Sequence, residues 1–412
     1  MLHKLPSSIQ TNIHIITLCL CWYAISSLAS QVTKQILTIC PLPLFLGEFQ
    51  FLYTALLAAV SCSLAYRYKV IYNLFPEGTF PKYYSTFHDH ECERNEDIKN
   101  AIVMPSKHII MTVLPLSFFQ FVGKYFGHTA TALVPVSTVA SVKTLSPVFI
   151  VIFQRFLGMA TVNLNFKILG SLSALIFGVW IIVIEDSKQK AFIKQQKKMI
   201  NTDNRSNSSN YGIICAIISM FIFVMQNIYG KKVFTYKRNH EVTMIKKKKS
   251  FYKLENNSSE LPIYSESKTL SPKTTKYDKL TLMIYISLVG FCLSFFWFMT
   301  MEFPVVWRYI NGYETQSDGK ALPISTIPWG LCLINGTFHF MQAMITFHLM
   351  GEISTLTYSI ANLMKRIAII SVSWIFAGFQ VTMLQVFGLL LNAVGLFLYE
   401  RCNSSQKKKT LS

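Results

Sequence analysis

The chain is short of charge and, among its charges, short of acid. Of its 412 residues 14% are charged, and 20 Asp and Glu stand against 39 Lys and Arg. Water-soluble chains carry about a quarter of their residues as Asp, Glu, Lys or Arg, so an ordinary solvated surface is excluded. Catalytic signatures are missing as well. There is no catalytic carboxylate pair, no His-Glu-x-x-His and no Gly-x-Ser-x-Gly, which argues against a membrane-embedded hydrolase. The nine cysteines show neither zinc nor redox spacing. Most of them (Cys19, Cys21, Cys62, Cys215, Cys292, Cys332) fall inside apolar runs, where a free thiol packs as a small hydrophobe. No metal, no cofactor and no enzymatic activity are expected. An Arg- and Ser-rich transit peptide is lacking too. The first apolar run starts near Asn12 and stays polar through Ser26, Ser27 and Gln31 to Lys34, so it reads as a retained spanning helix rather than a signal-peptide core.

What the chain has is apolar length. It is 51% hydrophobic, and its apolar residues come in runs near the roughly 20 residues that a bilayer-spanning helix needs. About ten spans are predicted, at 12–37, 43–66, 108–126, 132–157, 163–184, 211–234, 280–303, 327–350, 354–379 and 382–399. The fold class is therefore an all-α membrane protein with the lipid bilayer as its solvent.

A net charge of +19 invites a nucleic-acid reading, but its distribution argues against one. The largest basic cluster, with Lys246 to Lys249 at its centre, lies in one hydrophilic stretch between spans, from Lys231 to Lys279. Cytosolic loops of membrane proteins carry such an excess. An even span count puts both termini on one side. Taking that side as cytosolic places roughly 26 Lys and Arg on it, against about 10 on the other. The loop 188–210 runs against the trend, being basic yet lumenal, and its Asn204 and Asn207 sequons would then be glycosylation sites.

Five spans precede that loop and five follow it, and the halves rhyme. Span four reads Val136-Ser-Thr-Val-Ala-Ser-Val-Lys143 before an apolar stretch to Gly158. Span nine reads Ile353-Ser-Thr-Leu-Thr-Tyr-Ser-Ile-Ala-Asn-Leu-Met-Lys365-Arg366 before one to Gly378. Each leads into a glycine-bearing helix (Gly170 and Gly178; Gly388 and Gly395) that ends in charge. Two inverted halves follow: 12–184 and 211–399, joined by a linker at 185–210, with a basic insert at 235–279 and a tail at 400–412.

Lys143, Lys365 and Arg366 each fall about eleven or twelve residues into a span, which at about 1.5 Å per residue is mid-bilayer. Cations there are costly unless paired or wet, so their default reading is functional. Acid inside the spans is nearly absent, Glu48 being the clear candidate partner. A bound phosphate would supply the missing negative charge, with Arg as a planar fork and Lys as a point charge. Tyr358 and Asn362 lead onto the Lys-Arg pair at helical spacing. Lys34, Lys124 and Gln342 are weaker candidates for the same substrate cavity. His88-Asp-His-Glu-Cys92 reads as a solvated acidic loop rather than a metal site, and Lys407 to Lys409 as a basic cap rather than a retrieval signal.

These residues resemble a known family. The stretch Val136 to Phe156, centred on Val-Lys-Thr-Leu-Ser-Pro, is similar to the Lys-bearing fourth helix of the triose-phosphate translocators. Gln226-Asn-Ile-Tyr-Gly-Lys-Lys232 is similar to their sixth helix, and Thr357 to Arg366, Leu384 to Gly388 and Gly395 to Tyr399 to their ninth and tenth. Asn335-Gly-Thr-Phe-His-Phe and Pro41-Leu-Pro43 extend the likeness to nearly all spans. The resemblance implies the drug/metabolite transporter fold and exchange of a phosphorylated metabolite for inorganic phosphate. It maps the family's phosphate grip onto Lys143, Lys365 and Arg366. Ala140, Lys124 and Gln342 depart from the plastid pattern of two histidines and a tyrosine, so the rest of the pocket differs. The Ser-Pro after Lys143 and the long sixth-loop insert resemble fungal members of the endoplasmic reticulum and Golgi. A nucleotide-sugar carrier and a non-transporting trafficking factor acting through the 231–279 loop are the alternatives. The oligomeric state is left open.

Overall fold

The computed structural model describes residues 7–75, 78–83, 101–156, 166–198, 210–226, 229, 278–311, 327–352, 355–378 and 380–411. Helices stand at every one of the ten predicted places. They are α1 (Ser7–Ile39), α2 (Pro43–Arg67), α4 (Lys107–Leu133), α5 (Val136–Thr144) continued by α6 (Ser146–Phe156), α7 (Phe166–Lys198), α8 (Asn210–Gln226), α9 (Lys279–Met301), α11 (Trp329–Glu352), α12 (Thr355–Ala377) and α13 (Met383–Leu411). Two short helices, α3 (Lys69–Leu74) and α10 (Phe303–Asn311), follow α2 and α9. Among the described residues there is no strand. Among the described residues seven helices are long and apolar enough to cross a membrane by length and composition, counting α5–α6 as one. Large apolar side chains face outward along them, among them Leu20, Leu52, Leu56, Trp180, Phe296 and Leu390. Only a lipid surround makes such a surface stable, because the helices satisfy their own backbone groups internally.

Several ends differ from the expected spans. α4 runs to Leu133, past the expected stop at 126. Gly127 does not break it; that glycine lets α8 approach, since an added Cβ would stand 3.0 Å from the Ser219 hydroxyl. The stop comes at Val134, which is extended (φ −121°, ψ 164°) because Pro135 follows it. α7 and α13 continue beyond the expected membrane limits, to Lys198 and Leu411. The insert at 235–277, the sequons and the His88–Cys92 cluster lie outside the described residues.

The packing repeats itself when the halves are exchanged. That exchange matches α1 with α8, α2 with α9, α4 with α11, α5–α6 with α12, and α7 with α13. α4 packs on α9, and its counterpart α11 packs on α2; likewise α5 packs on α7, and α12 on α13. α1 packs on α11, as α8 does on α4, where Ser219 donates to the Gly123 carbonyl at 2.8 Å. The pairs α2–α9, α5–α12 and α7–α13 are their own images. Since each half has five spans, the two lie inverted across the membrane, as in the drug/metabolite transporter fold.

The tightest of these contacts explains the paired glycines. A Cβ on Gly178 would stand 2.7 Å from the Gly388 carbonyl and 2.8 Å from the Asn392 nitrogen; one on Gly395 would stand 2.9 Å from the Ser171 carbonyl. In lipid, where apolar burial gives helices little reason to associate, close backbone approach through small residues supplies the packing.

Candidate functional site

The fourth span breaks where its sequence says it must. Pro147 has no N–H, so the carbonyl four residues earlier, that of Lys143, receives no helical bond. α5 ends at Thr144 and α6 begins at Ser146. The broken end is stitched locally, with Thr144 donating its hydroxyl to the Ser141 carbonyl at 2.6 Å and receiving the Asn392 amide at 2.9 Å. The Lys143 carbonyl is satisfied from the other half of the protein. Arg366 of α12 donates to it at 2.7 Å and to the Ser146 hydroxyl at 3.1 Å. The lysine of one half and the arginine of the other are thus tied through a helix break, at the α5–α12 crossing that is its own image under exchange of the halves.

Three lysines within the spans each lie on an aromatic face. The Lys365 Nζ lies 4.3 Å from the centroid of the fully buried Trp22 ring, Lys124 lies 4.2 Å from Phe51, and Lys143 lies 5.8 Å from Phe223. Such rings attract ammonium groups without neutralising them. Lys365 stands within electrostatic reach of both Arg366 and Lys143. Among the described residues neither Lys143, Lys365 nor Lys124 has a carboxylate within ion-pair distance; the ion pair there, Lys188 with Glu185, is elsewhere on α7.

The other predicted residues divide. Lys34 serves the fold: its Nζ donates to the carbonyls of Thr131, Ala132 and Val134 at 2.6, 3.0 and 3.1 Å. Lys190 donates to the Leu133 carbonyl beside them. The two lysines therefore cap the C-terminus of α4, where orphan carbonyls and the helix dipole both favour a cation. Asn362 is half-buried on α12, one turn before Arg366. Gln342 is half-buried on α11. Tyr358 belongs to α12, but its side chain lies outside the described residues.

Two histidines escaped the sequence reading. His128 stands one turn after Lys124 on α4, and His339 one turn before Gln342 on α11. The Nε2 of His128 and the Nδ1 of His339 are buried without a hydrogen-bond partner. His128 feels the charges of Lys124 and Lys143, and His339 that of Lys124. Their signal was faint, a polar ring recurring at i+4 and i−3 from a residue already suspected. Asp186 was missed in another way. Its place in the sequence, beside Glu185 at the end of the fifth span, suggests exposed charge, yet it is fully buried in a knot of neutral donors. Ser137 and Thr138 of α5, Trp374 of α12 and Gln385 of α13 all donate to its carboxylate, the last three at 3.0, 3.0 and 2.9 Å.

The sequence that builds these two halves matches a family model over most of its length. The description of that model is the triose-phosphate transporter family, and it matches residues 13–190 and 256–400. The chain belongs to this family. It is 56% identical to the uncharacterized transporter YJL193W of Saccharomyces cerevisiae, over 99% of this chain and 98% of that one. It is 32% identical to the uncharacterized transporter SLY41 of the same yeast, over 98% and 84%. A more distant relative is a chloroplastic xylulose 5-phosphate/phosphate translocator of Arabidopsis thaliana, 22% identical over 74% of this chain and 57% of that one. The triose-phosphate transporter family member described here is therefore a multi-pass integral membrane transporter for a small molecule.

Proposed function

We propose that the protein exchanges a phosphorylated small metabolite, of the size of a triose phosphate, for inorganic phosphate by alternating access. The observation that carries this reading is the gathering of Lys143, Lys365 and Arg366 from both halves with no carboxylate paired to either lysine among the described residues. A phosphate monoester carries nearly two negative charges at neutral pH and would answer them. Arg366, held by the Lys143 carbonyl and Ser146, presents a guanidinium already oriented by the protein. The two lysines, resting on Phe223 and Trp22, act as point charges. Asn362 on α12, one turn before Arg366, and Lys124 and Gln342 on α4 and α11 are the candidates to read the rest of the substrate.

The energetics favour exchange over one-way transport. An empty cavity leaves like charges facing one another in a low-dielectric surround, and returning empty keeps that cost through the crossing. Returning with phosphate removes it. The halves 12–184 and 211–399 would rock against each other, exposing the same site to each side in turn. The excess of Lys and Arg on one side supports cytosolic termini, and the likeness to fungal members supports an endoplasmic reticulum or Golgi membrane.

The test is reconstitution. Liposomes loaded with inorganic phosphate should take up a labelled three-carbon phosphate ester, and empty liposomes should take up at least tenfold less. Equal uptake into both would refute exchange, and movement of sugar nucleotides but not of simple phosphate esters would favour the nucleotide-sugar alternative.

A further inference from the structure

Glu48 is a buried acid that shares a cavity with Lys124. It sits on α2, 5% exposed, and neither carboxylate oxygen has a hydrogen-bond partner. It shares a small cavity, with room for about one water, with Leu44, Phe51, Phe121, Lys124, Tyr125 and Ser294. Ser294 gives its hydroxyl hydrogen to the Gly290 carbonyl, at 2.8 Å. Lys124 of α4, 9% exposed, is the cation across the cavity, but it is not in ion-pair contact with Glu48. His128 and His339 are within electrostatic reach of Lys124, and His128 is also within reach of Lys143. A lysine bonded permanently to a carboxylate would be part of the fold. This one shares a cavity with a carboxylate, lies over the Phe51 ring, and has as neighbour a histidine that also feels Lys143.

We propose that Glu48 is a proton-binding site linked to substrate capture, so that the carrier moves a proton together with its phosphate ester. The proposal rests on the reading of the central cations as an anion site. Lys124 has two possible anionic partners. In the empty protein its ammonium balances the Glu48 carboxylate across the cavity. When a phosphate ester enters, Lys124 turns toward it, past His128. Glu48 then faces Leu44, Phe51 and Phe121 with no cation. An ionised carboxylate is too costly in such a wall, so it takes a proton: an O–H bond forms on the carboxylate, hydronium gives up that proton as water, and the charge of Glu48 goes from −1 to zero. Release of the ester returns Lys124 and expels the proton. The titratable groups facing Glu48 are Lys124 and Tyr125 from α4, while α9 presents Ser294, which does not titrate in this range. Those facing Lys124 are Glu48, His128 and His339.

Calorimetric titration of the full chain in detergent tests this, using glycerol phosphate at pH 8, where the ester is already a dianion. Run in two buffers of different ionisation enthalpy, it counts the protons taken up per ester bound. The expected result is between about one half and one proton for the wild type. In Glu48→Gln the uptake should be near zero, with affinity kept within about tenfold. Lys124→Gln, which leaves Glu48 without its cation in both states, should also abolish the uptake and serves if the first variant fails to fold. Binding with no proton uptake in the wild type overturns the proposal and leaves the exchange reading standing. Uptake that persists in Glu48→Gln overturns the assignment to Glu48. Absence of any binding falls instead on the anion-site reading itself.

Discussion

Two buried charged regions of this transporter are built on opposite plans. At Asp186 one carboxylate collects four neutral donors, from α5, α12 and α13. Some 40 residues along the chain in one direction and nearly 180 in the other, Lys143 and Lys365 rest on aromatic rings with no carboxylate paired to them among the described residues. The first group is complete within the protein. The second, on the function proposed above, is completed by a bound anion. The comparison teaches that burial of charge is not itself the sign of a ligand site, and that the state of its hydrogen-bond partners is. A satisfied buried charge joins elements together, whereas one left facing like charges marks where a counter-charge arrives.

Substitutions can break the comparison, and the largest effect is expected on transport. Lys365→Ala or Lys143→Ala should lower exchange by about a hundredfold, on a loss of roughly 1.5–3 kcal/mol for a charged hydrogen bond with the remaining like charges left in place; initial rates in phosphate-loaded liposomes measure it. Asp186→Ala should act on stability instead. It strands four donors, and at roughly 1 kcal/mol for each membrane hydrogen bond the loss is about 3–4 kcal/mol, seen as a lower unfolding temperature in detergent. Arg366→Lys retains the charge but removes the planar guanidinium whose Nη1 reaches both the Lys143 carbonyl and Ser146. Exchange should fall by about tenfold, mainly through weaker apparent affinity. Lys34→Met should have the smallest effect. It removes a cap from α4 at a cost of about 1 kcal/mol and should leave the affinity for phosphate ester unchanged, which a thermal-shift titration would show.

Much of this was legible in the sequence, and the physical reason is the bilayer. A 20-residue apolar run leaves little choice of structure, so all ten helices stand where their runs predicted. The place of the cations within the spans was legible because lipid makes an unneeded charge expensive. What the sequence hid depends on neighbours distant along the chain. Lys34 looked like a fourth site cation, and only the arrival of the α4 C-terminus at its ammonium makes it a cap. Span four is expected as one helix over 132–157, whereas Pro147 divides it, and the Lys143 carbonyl is filled by Arg366 from the other half. The aromatic seats at Trp22, Phe51 and Phe223 were indistinguishable from lipid-facing or core residues. His128 and His339 were hidden within apolar helices, where a lone histidine is ordinarily a packing residue.

The account stands or falls on whether the central cations serve a ligand or the fold. Thermal unfolding of the purified wild type and of Lys365→Gln, each with and without glycerol phosphate, tests that most directly. A ligand at a hundred times its Kd adds about 2.7 kcal/mol to the native state, and removing one of several facing like charges relieves repulsion. The account predicts that Lys365→Gln is at least as stable as the wild type without ligand and gains nothing when it is added, while the wild type gains several degrees. A variant that is less stable without ligand yet keeps the full ligand-induced gain would contradict it.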